Sequence, residues 1–406
     1  MKTKVLGYYG GVVSFLLVAL FALSLPASEL ARDEAAGALA PAFNGQLVAA
    51  PGKIPAHTLV YNEAEGWRLL AGFVPAGESV KTQGQLQIAL ERLNEARREQ
   101  NAGSNSSALS LYKKITEDYP GTEFAAEAFF QRGNIYYTRN QFTNSFQNYE
   151  DLIHKHPEDI RFDQVIAAQF TIASDIKDGA RPYLWGWMPW FRNTVEALDF
   201  FEKVNRNAPY GEFAARALYS KGLLAVDEGK TEEAIDAFER IIHNYPSAPE
   251  VPEAYLSLAN TYENDIPGAE WDQGATRLAL EYYSEFIIRF PSHPKAKEAV
   301  EGLSRMRETL AKNRYDLALL YYEEHNNARA AAIYFNEAIN AAPESTTAQD
   351  ARKKINDIRD GKLANRGIMD WIFGRYPVTK DADYIPPPAP TDLQNMGFGQ
   401  AVPKAE

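Results

Sequence analysis

The sequence predicts an all-α fold in which consecutive helical hairpins stack into an α-α superhelix, or solenoid. Three observations support this prediction: six prolines end amphipathic runs, the same residue types recur at fixed distances before each proline, and the chain contains no cysteine. A helix stops at proline because proline lacks the backbone N–H and its ring clashes with the preceding turn. Without cysteine there is no disulfide, so packed apolar surface must stabilise the fold.

The repeat becomes visible when the chain is aligned on the prolines Pro120, Pro157, Pro209, Pro246, Pro291 and Pro343. A small residue stands twelve positions before each: Ala108, Ser145, Ala197, Ala234, Ala279 and Ala331. An aromatic residue stands eight positions before each: Tyr112, Tyr149, Phe201, Phe238, Tyr283 and Phe335. An apolar residue stands five positions before each: Ile115, Leu152, Val204, Ile241, Phe286 and Ala338. These steps of three and four residues place all three positions on one helical face, which should face the core.

These positions are typical of the tetratricopeptide repeat, a helix–turn–helix unit of about 34 residues. Its first helix should carry a small residue 24 positions before the proline, where Gly133 and Gly222 stand. In the unit that ends at Pro291, Ala259 and Tyr262 are the expected equivalents, displaced by an insertion. A single hairpin of this kind cannot bury its own apolar face, so neighbouring hairpins must stack. The sequence therefore predicts a tetratricopeptide-like solenoid of about six helical hairpins.

Three intervals between the prolines are longer than the others and predict insertions. Residues 178–193 form an aromatic-rich insertion, and residues 265–276 form a second one. Residues 295–324 keep a helical pattern almost throughout, which predicts lengthened helices in that unit.

The two ends of the chain differ from the repeat. Residues 1–27 have a positive start, an apolar run and small residues at the end, which is the layout of a secretory signal peptide. An uncleaved membrane anchor is the alternative, because the run approaches the ~20 residues that span a bilayer. We expect residues 28–80 to be a linker-like segment and residues 81–360 to be the solenoid. Residues 361–406 include three consecutive prolines, and we expect a disordered Pro-rich tail.

Charge and motif content argue against several classes of function. The net charge of −12 argues against nucleic acid as the main partner, because phosphate binding needs a basic face. The sequence contains no glycine-rich phosphate loop, nucleophile elbow or metalloprotease helix motif. His154 and His156 could bind a metal, but they stand in the last turn of a helix, where a cation suits the helix dipole. We therefore expect no enzyme, no catalytic residue, no cofactor and no metal.

Two regions are candidate protein-binding surfaces. In tetratricopeptide folds the first helix of each unit lines a concave groove, where asparagines could bond an extended peptide and aromatics could pack its side chains. The residues expected to face that groove are Phe130, Asn134, Tyr137, Arg216, Tyr219, Leu256 and Asn260. The second region is the 178–193 insertion, with Trp185, Trp187 and Trp190. Clustered aromatics suit a protein or membrane interface. The simpler interpretation, which we prefer from the sequence, is a satellite core that covers the neighbouring hairpin.

A resemblance to a known family adds to this interpretation. Residues 271–345 are similar to the outer-membrane protein assembly factor BamD, through Asp272-Gln273, the triplet Arg289-Phe290-Pro291 and Tyr321-Tyr322. Residues 148–173 also resemble it. The resemblance implies a non-enzymatic periplasmic scaffold associated with the outer membrane. Proteins of this family bind a BamA-like outer-membrane partner and other assembly subunits, and help to deliver unfolded β-barrel substrates.

The sequence departs from that family at the expected lipid anchor. Ser28 stands where the family carries the cysteine that is lipidated, so attachment through that residue is chemically excluded. A retained N-terminal segment or a partner protein would have to hold the chain at the membrane. The alternative function is a different periplasmic adaptor of the same fold, which coordinates cell-wall synthesis with envelope constriction as CpoB-like proteins do.

Overall fold

The computed structural model describes most of the chain between Leu59 and Gly361. The described residues are 59–62, 66–69, 80–157, 159, 161–185, 187–191, 193–265, 273–325 and 327–361. The chain divides into two compact units, residues 1–213 (unit 1) and residues 214–406 (unit 2). Helices make up nearly all of the regular structure that is described in either unit.

Unit 1 contains two small β-hairpins and six α-helices in its described residues. The strands are β1 (Leu59–Asn62), β2 (Gly66–Leu69), β3 (Tyr183–Leu184) and β4 (Met188–Pro189). The helices are α1 (Val80–Asn101), α2 (Asn105–Asp118), α3 (Glu123–Thr138), α4 (Phe142–Lys155), α5 (Phe162–Lys177) and α6 (Thr194–Asn207). Each helix packs against the next, so the unit is a row of three hairpins: α1–α2, α3–α4 and α5–α6.

Unit 2 contains three further hairpins and a terminal helix in its described residues, and its first helix starts at the unit boundary. The helices are α7 (Phe213–Asp227), α8 (Thr231–Asn244), α9 (Val251–Asn264), α10 (Gln273–Arg289), α11 (Ala296–Leu319), α12 (Ala328–Ala341) and α13 (Thr346–Arg359). A π-helical turn, Leu320–Glu324, extends α11, so the lengthened helix expected over residues 295–324 is confirmed. Helix α13 closes the row by burying Ala351, Ile355 and Ile358 against α11 and α12.

The predicted register is confirmed in all six hairpins. Each proline stands two positions after the last residue of a second helix, where it prevents another helical turn. The eighteen side chains at the small, aromatic and apolar positions are all at most 1% exposed. The tetratricopeptide-like, all-α fold follows from this pattern, because each helix buries the face on which those positions lie.

Glycine allows the closest approach between the two helices of a hairpin. A Cβ atom on Gly133 would lie 2.4 Å from the ring of Tyr149, and one on Gly222 would lie 2.5 Å from the ring of Phe238. Both glycines therefore occupy the place expected of them. In the hairpin that ends at Pro291, the ring of Tyr283 instead packs against Gly302 of the following helix α11. A Cβ atom on Gly302 would lie 2.4 Å from that ring. The sequence pattern did not identify that contact.

The N-terminal segment is not a linker over the part that the structure describes. Strands β1 and β2 pair antiparallel from Leu59 with Leu69 to Asn62 with Gly66. The amide of Trp67 donates to Oδ1 of Asn94 in α1 at 2.6 Å, and Nδ2 of Asn94 donates to the carbonyl oxygen of Trp67 at 3.0 Å. The linker prediction for residues 28–80 is therefore wrong for this hairpin, because a residue of α1 satisfies its backbone.

The predictions for residues 1–27, for Ser28 and for the tail after Gly361 lie outside the described residues, as does most of the 265–276 insertion. Within the described residues, no helix combines the length and apolar character needed to span a bilayer.

Candidate protein-binding interface

The aromatic insertion forms the β3–β4 hairpin and is fixed to the turn between α3 and α4. The amide of Tyr183 donates to the carbonyl oxygen of Asn140 at 2.8 Å. The guanidinium of Arg139 donates to the carbonyl oxygen of Trp185 at 3.0 Å. Within the insertion, the amide of Trp190 donates to the carbonyl oxygen of Pro182 at 2.8 Å. Backbone bonds therefore hold this hairpin in place and leave its rings free for other contacts.

The rings of this hairpin are exposed. The exposed fractions are 65% for Trp185, 69% for Trp187, 47% for Trp190 and 77% for Phe191. Trp185 packs beside Trp187 with ring centroids 6.3 Å apart, and Trp190 meets Phe191 edge-on at 5.3 Å. The interpretation as a satellite core is therefore wrong, since such a core would exclude these rings from water. Large aromatics that are held together in solvent suit an interface.

Trp185 has a backbone conformation that is unusual for its residue type. Its φ angle is +54°, in the left-handed region that large side chains rarely adopt. Such a conformation costs on the order of 1–3 kcal/mol and persists only where the surrounding structure enforces it. Here the bond from Arg139 to the carbonyl oxygen of Trp185 contributes to that constraint. The strained backbone therefore belongs to a residue whose ring is exposed.

A cavity of about 560 Å³ opens between this hairpin and the start of α4. Five aromatic residues line it: Phe142 of α4 and four of the insertion. We call the four of the insertion the aromatic cradle: Tyr183, Trp185, Trp190 and Phe191. Gln141 and Asn144, whose side chains carry amide groups, are also among the lining residues. The cavity therefore combines flat apolar walls with hydrogen-bonding groups, which is the usual composition of a ligand-binding cleft.

Two of the predicted groove residues are buried, so the prediction that they contact a partner is wrong. Phe130 is 3% exposed and lies under the guanidinium of Arg161, whose Cζ is 4.8 Å from the ring centroid. Leu256 is 2% exposed and belongs to the core of unit 2. Helical periodicity placed both side chains on the expected face of their helix. It could not show that neighbouring elements cover that face.

The two predicted asparagines bond tyrosines of the repeat register. Oδ1 of Asn134 accepts a hydrogen bond from the hydroxyl of Tyr149 at 2.7 Å. Oδ1 of Asn260 accepts one from the hydroxyl of Tyr283 at 2.5 Å, and its Nδ2 donates to Glu298 at 3.4 Å. Burial raises the pKa of both tyrosines, so their hydroxyls stay protonated and able to donate. The Oδ1 atom of each asparagine already accepts a hydrogen bond from a buried tyrosine hydroxyl, so it is not available to a peptide in this arrangement.

The other three groove candidates are partly exposed and already have partners. The hydroxyl of Tyr137 donates to Asp175 at 2.8 Å. Nε of Arg216 lies 3.6 Å from Oε1 of Glu250. The ring centroids of Tyr219 and Phe238 are 5.9 Å apart. Tyr137 and Arg216 thus contact residues of the following hairpin. The seven predicted residues are divided between the two units.

A buried ionic network in unit 1 was not predicted from the sequence. Arg161 pairs with Glu127 of α3, and its Nη2 lies 2.7 Å from Oδ2 of Asp159. Gln131 donates to Glu127 at 2.7 Å, and Arg97 of α1 donates to Gln131 at 2.8 Å. The network links α1, α3 and the connection before α5. Glu127 stands inside the apolar stretch 124–130 and could have indicated this network from the sequence, because a buried charge requires a partner.

Charge pairing outweighs desolvation in two members of this network. Burial opposes the charged form of Arg161, but Glu127 and Asp159 raise its pKa and keep it protonated. Burial likewise acts against the Asp159 carboxylate, yet hydrogen bonds and charge from Arg161 bring its pKa below the ordinary value. Arg161 and Asp159 therefore remain ionised at neutral pH. Burial has the larger effect on Glu127 and raises the pKa of its carboxyl above the ordinary value. None of the network's members lines the aromatic cradle.

Two sequence-family models match the chain. One, YfiO, described as outer membrane lipoprotein, matches residues 211–370, which is less than half of the 406 residues. The other, the tetratricopeptide repeat, matches residues 127–159, which cover most of the α3–α4 hairpin. No curated protein matches the chain. The chain is therefore a tetratricopeptide-repeat protein. Its residues 211–370 are similar to the outer membrane lipoprotein family YfiO.

Several solved structures are similar at low sequence identity. YrrB, a TPR protein with an unusual peptide-binding site, is 18% identical over 55% of this chain and 98% of its own, with a TM-score of 0.29. The C-terminal part of a TPR protein from Cytophaga hutchinsonii is 16% identical over 67% and 92%, with a TM-score of 0.30. The type IV pilus biogenesis factor PilW is 15% identical over 66% and 99%, with a TM-score of 0.24. The fold assignment rests on the helix register and the repeat match.

Proposed function

We propose that the protein is a periplasmic, non-enzymatic scaffold of the machinery that assembles β-barrel proteins in the outer membrane. In this proposal it binds a BamA-like outer-membrane partner and other assembly subunits, and takes up unfolded segments of the substrates. The match of residues 211–370 to the outer membrane lipoprotein family is the observation that carries the proposal. The BamD-like residues of the sequence fall mostly in the same region.

The repeat architecture supports a role in holding other proteins. Tetratricopeptide repeats are protein-interaction modules, and helical hairpins account for nearly all of the residues that are described between Val80 and Gly361. Unit 2, which carries the lipoprotein-family match, also presents a large apolar side chain to solvent: Ile288 of α10 is 70% exposed. Single exposed apolar side chains are common on protein surfaces. Ile288 therefore serves as a probe of this face in the test below.

In this proposal, attachment to the membrane differs from that of lipid-anchored proteins. The apolar residues 12–27 supply a route out of the cytoplasm and, if retained, an anchor. With serine at position 28, we propose that this segment or the partner itself keeps the chain at the periplasmic side of the outer membrane. Mass spectrometry of the mature N-terminus distinguishes these two arrangements.

Co-purification from gently solubilised envelopes tests the proposed function. The full chain, captured through an antibody to unit 2, should bring down a BamA-like protein in near-stoichiometric amount. Ile288→Asp should lower that recovery, whereas Ile88→Asp, the same change at an exposed isoleucine of unit 1, should not. Recovery of cell-wall synthesis enzymes without any BamA-like protein, together with localisation at the division site, would contradict the proposal.

A further inference from the structure

The β3–β4 hairpin has a sequence suited to the surface of a phospholipid bilayer. Residues 182–191 read Pro-Tyr-Leu-Trp-Gly-Trp-Met-Pro-Trp-Phe, contain no charged side chain and stand between Arg181 and Arg192. Three of the six tryptophans of the chain fall in this run. Tryptophan favours the boundary between water and hydrocarbon, because its ring is apolar while its N–H can bond water or headgroups. Arginines at the two ends of the run add charge that attracts anionic headgroups.

The structure exposes the side chains that such a contact would use. Trp185, Trp187 and Phe191 are each at least 65% exposed, and Trp190 is 47% exposed. The rings pack in two pairs, so they present apolar area together rather than singly. A bilayer surface can remove several such rings from water at once, and its binding strength grows with the apolar area that it buries.

The backbone of the hairpin is bonded within the protein, which also suits lipid. The amides of Tyr183 and Trp190 each donate to a carbonyl oxygen at 2.8 Å, and the amide of Trp187 donates to the carbonyl oxygen of Leu184 at 3.3 Å. Two further positions of the run are prolines, which have no N–H. Lipid chains offer no hydrogen-bond partner, so a segment at their boundary must satisfy its backbone internally. A peptide that adds a strand to a hairpin would instead need free amides and carbonyls.

Basic groups accompany the rings. Arg181 directly precedes the run and is exposed. Nη2 of Arg139 donates to the carbonyl oxygen of Trp185 at 3.0 Å, a bond that uses one of the several N–H donors of a guanidinium. Guanidinium groups bind phosphate oxygens through pairs of parallel hydrogen bonds. Rings and arginines together therefore match the two layers of an anionic bilayer surface, the hydrocarbon boundary and the phosphates.

The acidic groups near the rings interact with other parts of the protein. The carboxylate of Glu196, which lines the cavity, accepts hydrogen bonds from the hydroxyl of Thr143 and from Nδ2 of Asn193. Glu196 also lies in the first turn of α6, where a negative charge suits the helix dipole. Asp178 pairs with Nζ of Lys177 at 2.5 Å. These interactions offset the repulsion that the two carboxylates would exert on an anionic surface.

From these observations we infer that the β3–β4 hairpin anchors unit 1 on the surface of an anionic phospholipid bilayer. Trp185, Trp187 and Phe191 enter the boundary between headgroups and acyl chains, and Arg139 and Arg181 bind the phosphates beside them. The contact stays at the interface, because so short a run cannot cross the hydrocarbon. It adds a lipid contact to the attachment proposed above and needs no BamA-like partner.

A spin label on the hairpin tests the inference in the full chain. The chain has no cysteine, so Met188→Cys places a nitroxide in β4 while all the tryptophans remain. The labelled chain is reconstituted with vesicles of phosphatidylethanolamine and phosphatidylglycerol, and electron paramagnetic resonance measures collisions with oxygen and with a water-soluble nickel chelate. Oxygen concentrates in hydrocarbon and the chelate in water, so we expect frequent collisions with oxygen and several-fold fewer with the chelate than for a label in water. The measurement is local, so vesicle binding through residues 12–27 alone does not produce it.

Two variants separate the hairpin from general adsorption. Tyr210→Cys places the same label on a fully exposed residue beyond the other end of α6, about 20 Å away along that helix. That nitroxide should stay in water. In the Met188→Cys background, the double change Trp185→Ala and Trp187→Ala should weaken the bilayer contact at least about tenfold. Both tryptophans are exposed, so the circular dichroism and melting temperature should match those of the parent.

Charge is tested in the same background. Arg181→Glu should weaken the contact with anionic vesicles, whereas Arg98→Glu, the same change at an exposed arginine of α1, should not. Vesicles of phosphatidylcholine, which carry no net charge, should protect the label at position 188 from the chelate less well than anionic vesicles do.

Several results would overturn the inference. One is a label at position 188 that remains as accessible to the chelate as the label at position 210, which would assign the rings to a protein partner. Equal protection at both positions would indicate adsorption of the whole surface. Unchanged protection after removal of the two tryptophans would show that the rings do not make the contact. Because the vesicles contain no other protein, failure to recover a BamA-like partner from envelopes leaves this test unaffected.

Discussion

Gly222 offers the sharpest test of how the two helices of a hairpin pack. A Cβ at this position in α7 would lie 2.5 Å from Cε1 of Phe238 and 2.7 Å from its Cζ. Carbon atoms that are not bonded do not approach each other this closely, so Gly222→Ala must displace the ring or the helix. Phe238 is fully buried, and protein interiors leave little room for a ring to move.

Two effects of opposite sign determine how Gly222→Ala changes the free energy of unfolding. Alanine favours a helix over glycine by about 1 kcal/mol. Overpacking a filled core costs about 1–3 kcal/mol, and here the obstacle is a rigid ring rather than the end of a flexible side chain. Because the ring is rigid, we take the upper part of that range, about 2–3 kcal/mol. After the gain of about 1 kcal/mol is subtracted, we expect Gly222→Ala to lower the free energy of unfolding by about 1–2 kcal/mol. Gly84 of α1 is the matched control, because no atom lies within 4 Å of a Cβ placed there.

Urea denaturation followed by far-ultraviolet circular dichroism measures both variants. Gly84→Ala should raise the free energy of unfolding by about 0.5–1 kcal/mol, since it gains helix propensity without a clash. Gly222→Ala should lower it. If both substitutions stabilised the protein equally, the ring of Phe238 would not lie against Gly222, and the packing inferred for the register would be refuted.

Three further predictions use other contacts. Phe238→Ala should lower the free energy of unfolding by about 3–5 kcal/mol, as measured by urea denaturation, and a loss below about 1 kcal/mol would contradict its burial in the core. Pairing with Arg161 makes the pKa of Asp159 lower in the folded chain than in the unfolded one. Its contribution to stability is therefore complete above about pH 5 and is lost as pH falls through the folded value. The difference in unfolding free energy between wild type and Asp159→Asn should therefore be constant from about pH 5 to 8 and shrink below about pH 4; a difference independent of pH would exclude this pairing. Trp185→Gly should leave the melting temperature unchanged or raised, because glycine adopts a positive φ without strain. A clear fall in the melting temperature would contradict the strain at Trp185.

The hairpins could be predicted from sequence because their determinants are local. Proline ends a helix through its own covalent structure, and residues three and four apart share a face whatever surrounds them. The register aromatics and small residues therefore had to point toward a neighbouring helix. Gly133 and Gly222 followed from the same geometry, since a ring on one helix needs space on its partner.

The candidate site depended on contacts that periodicity does not encode. Phe130 lies on the predicted face of α3, but Arg161, 31 positions later in the chain, covers it. The tryptophans of the insertion could have been a core or a surface, and their exposure in the structure decided between the two. That placement depends on the carbonyl of Asn140 and the guanidinium of Arg139, both on a different hairpin. Gly302 was missed for a related reason, because its partner Tyr283 belongs to the preceding hairpin.

The hydroxyls of the register tyrosines limit how the hairpins can be exchanged. Tyr112, Tyr149 and Tyr283 each donate to an amide oxygen on the first helix of their own hairpin: Gln100, Asn134 and Asn260. In the α7–α8 hairpin the register residue is Phe238, and Leu223 stands where Asn134 stands in α3–α4. Recombination that joined a tyrosine-bearing helix to a leucine-bearing one would strand a hydroxyl without an acceptor, at a cost of about 1–3 kcal/mol. Gene duplication can therefore copy whole hairpins of this chain freely, whereas a crossover inside a hairpin must carry both partner residues together.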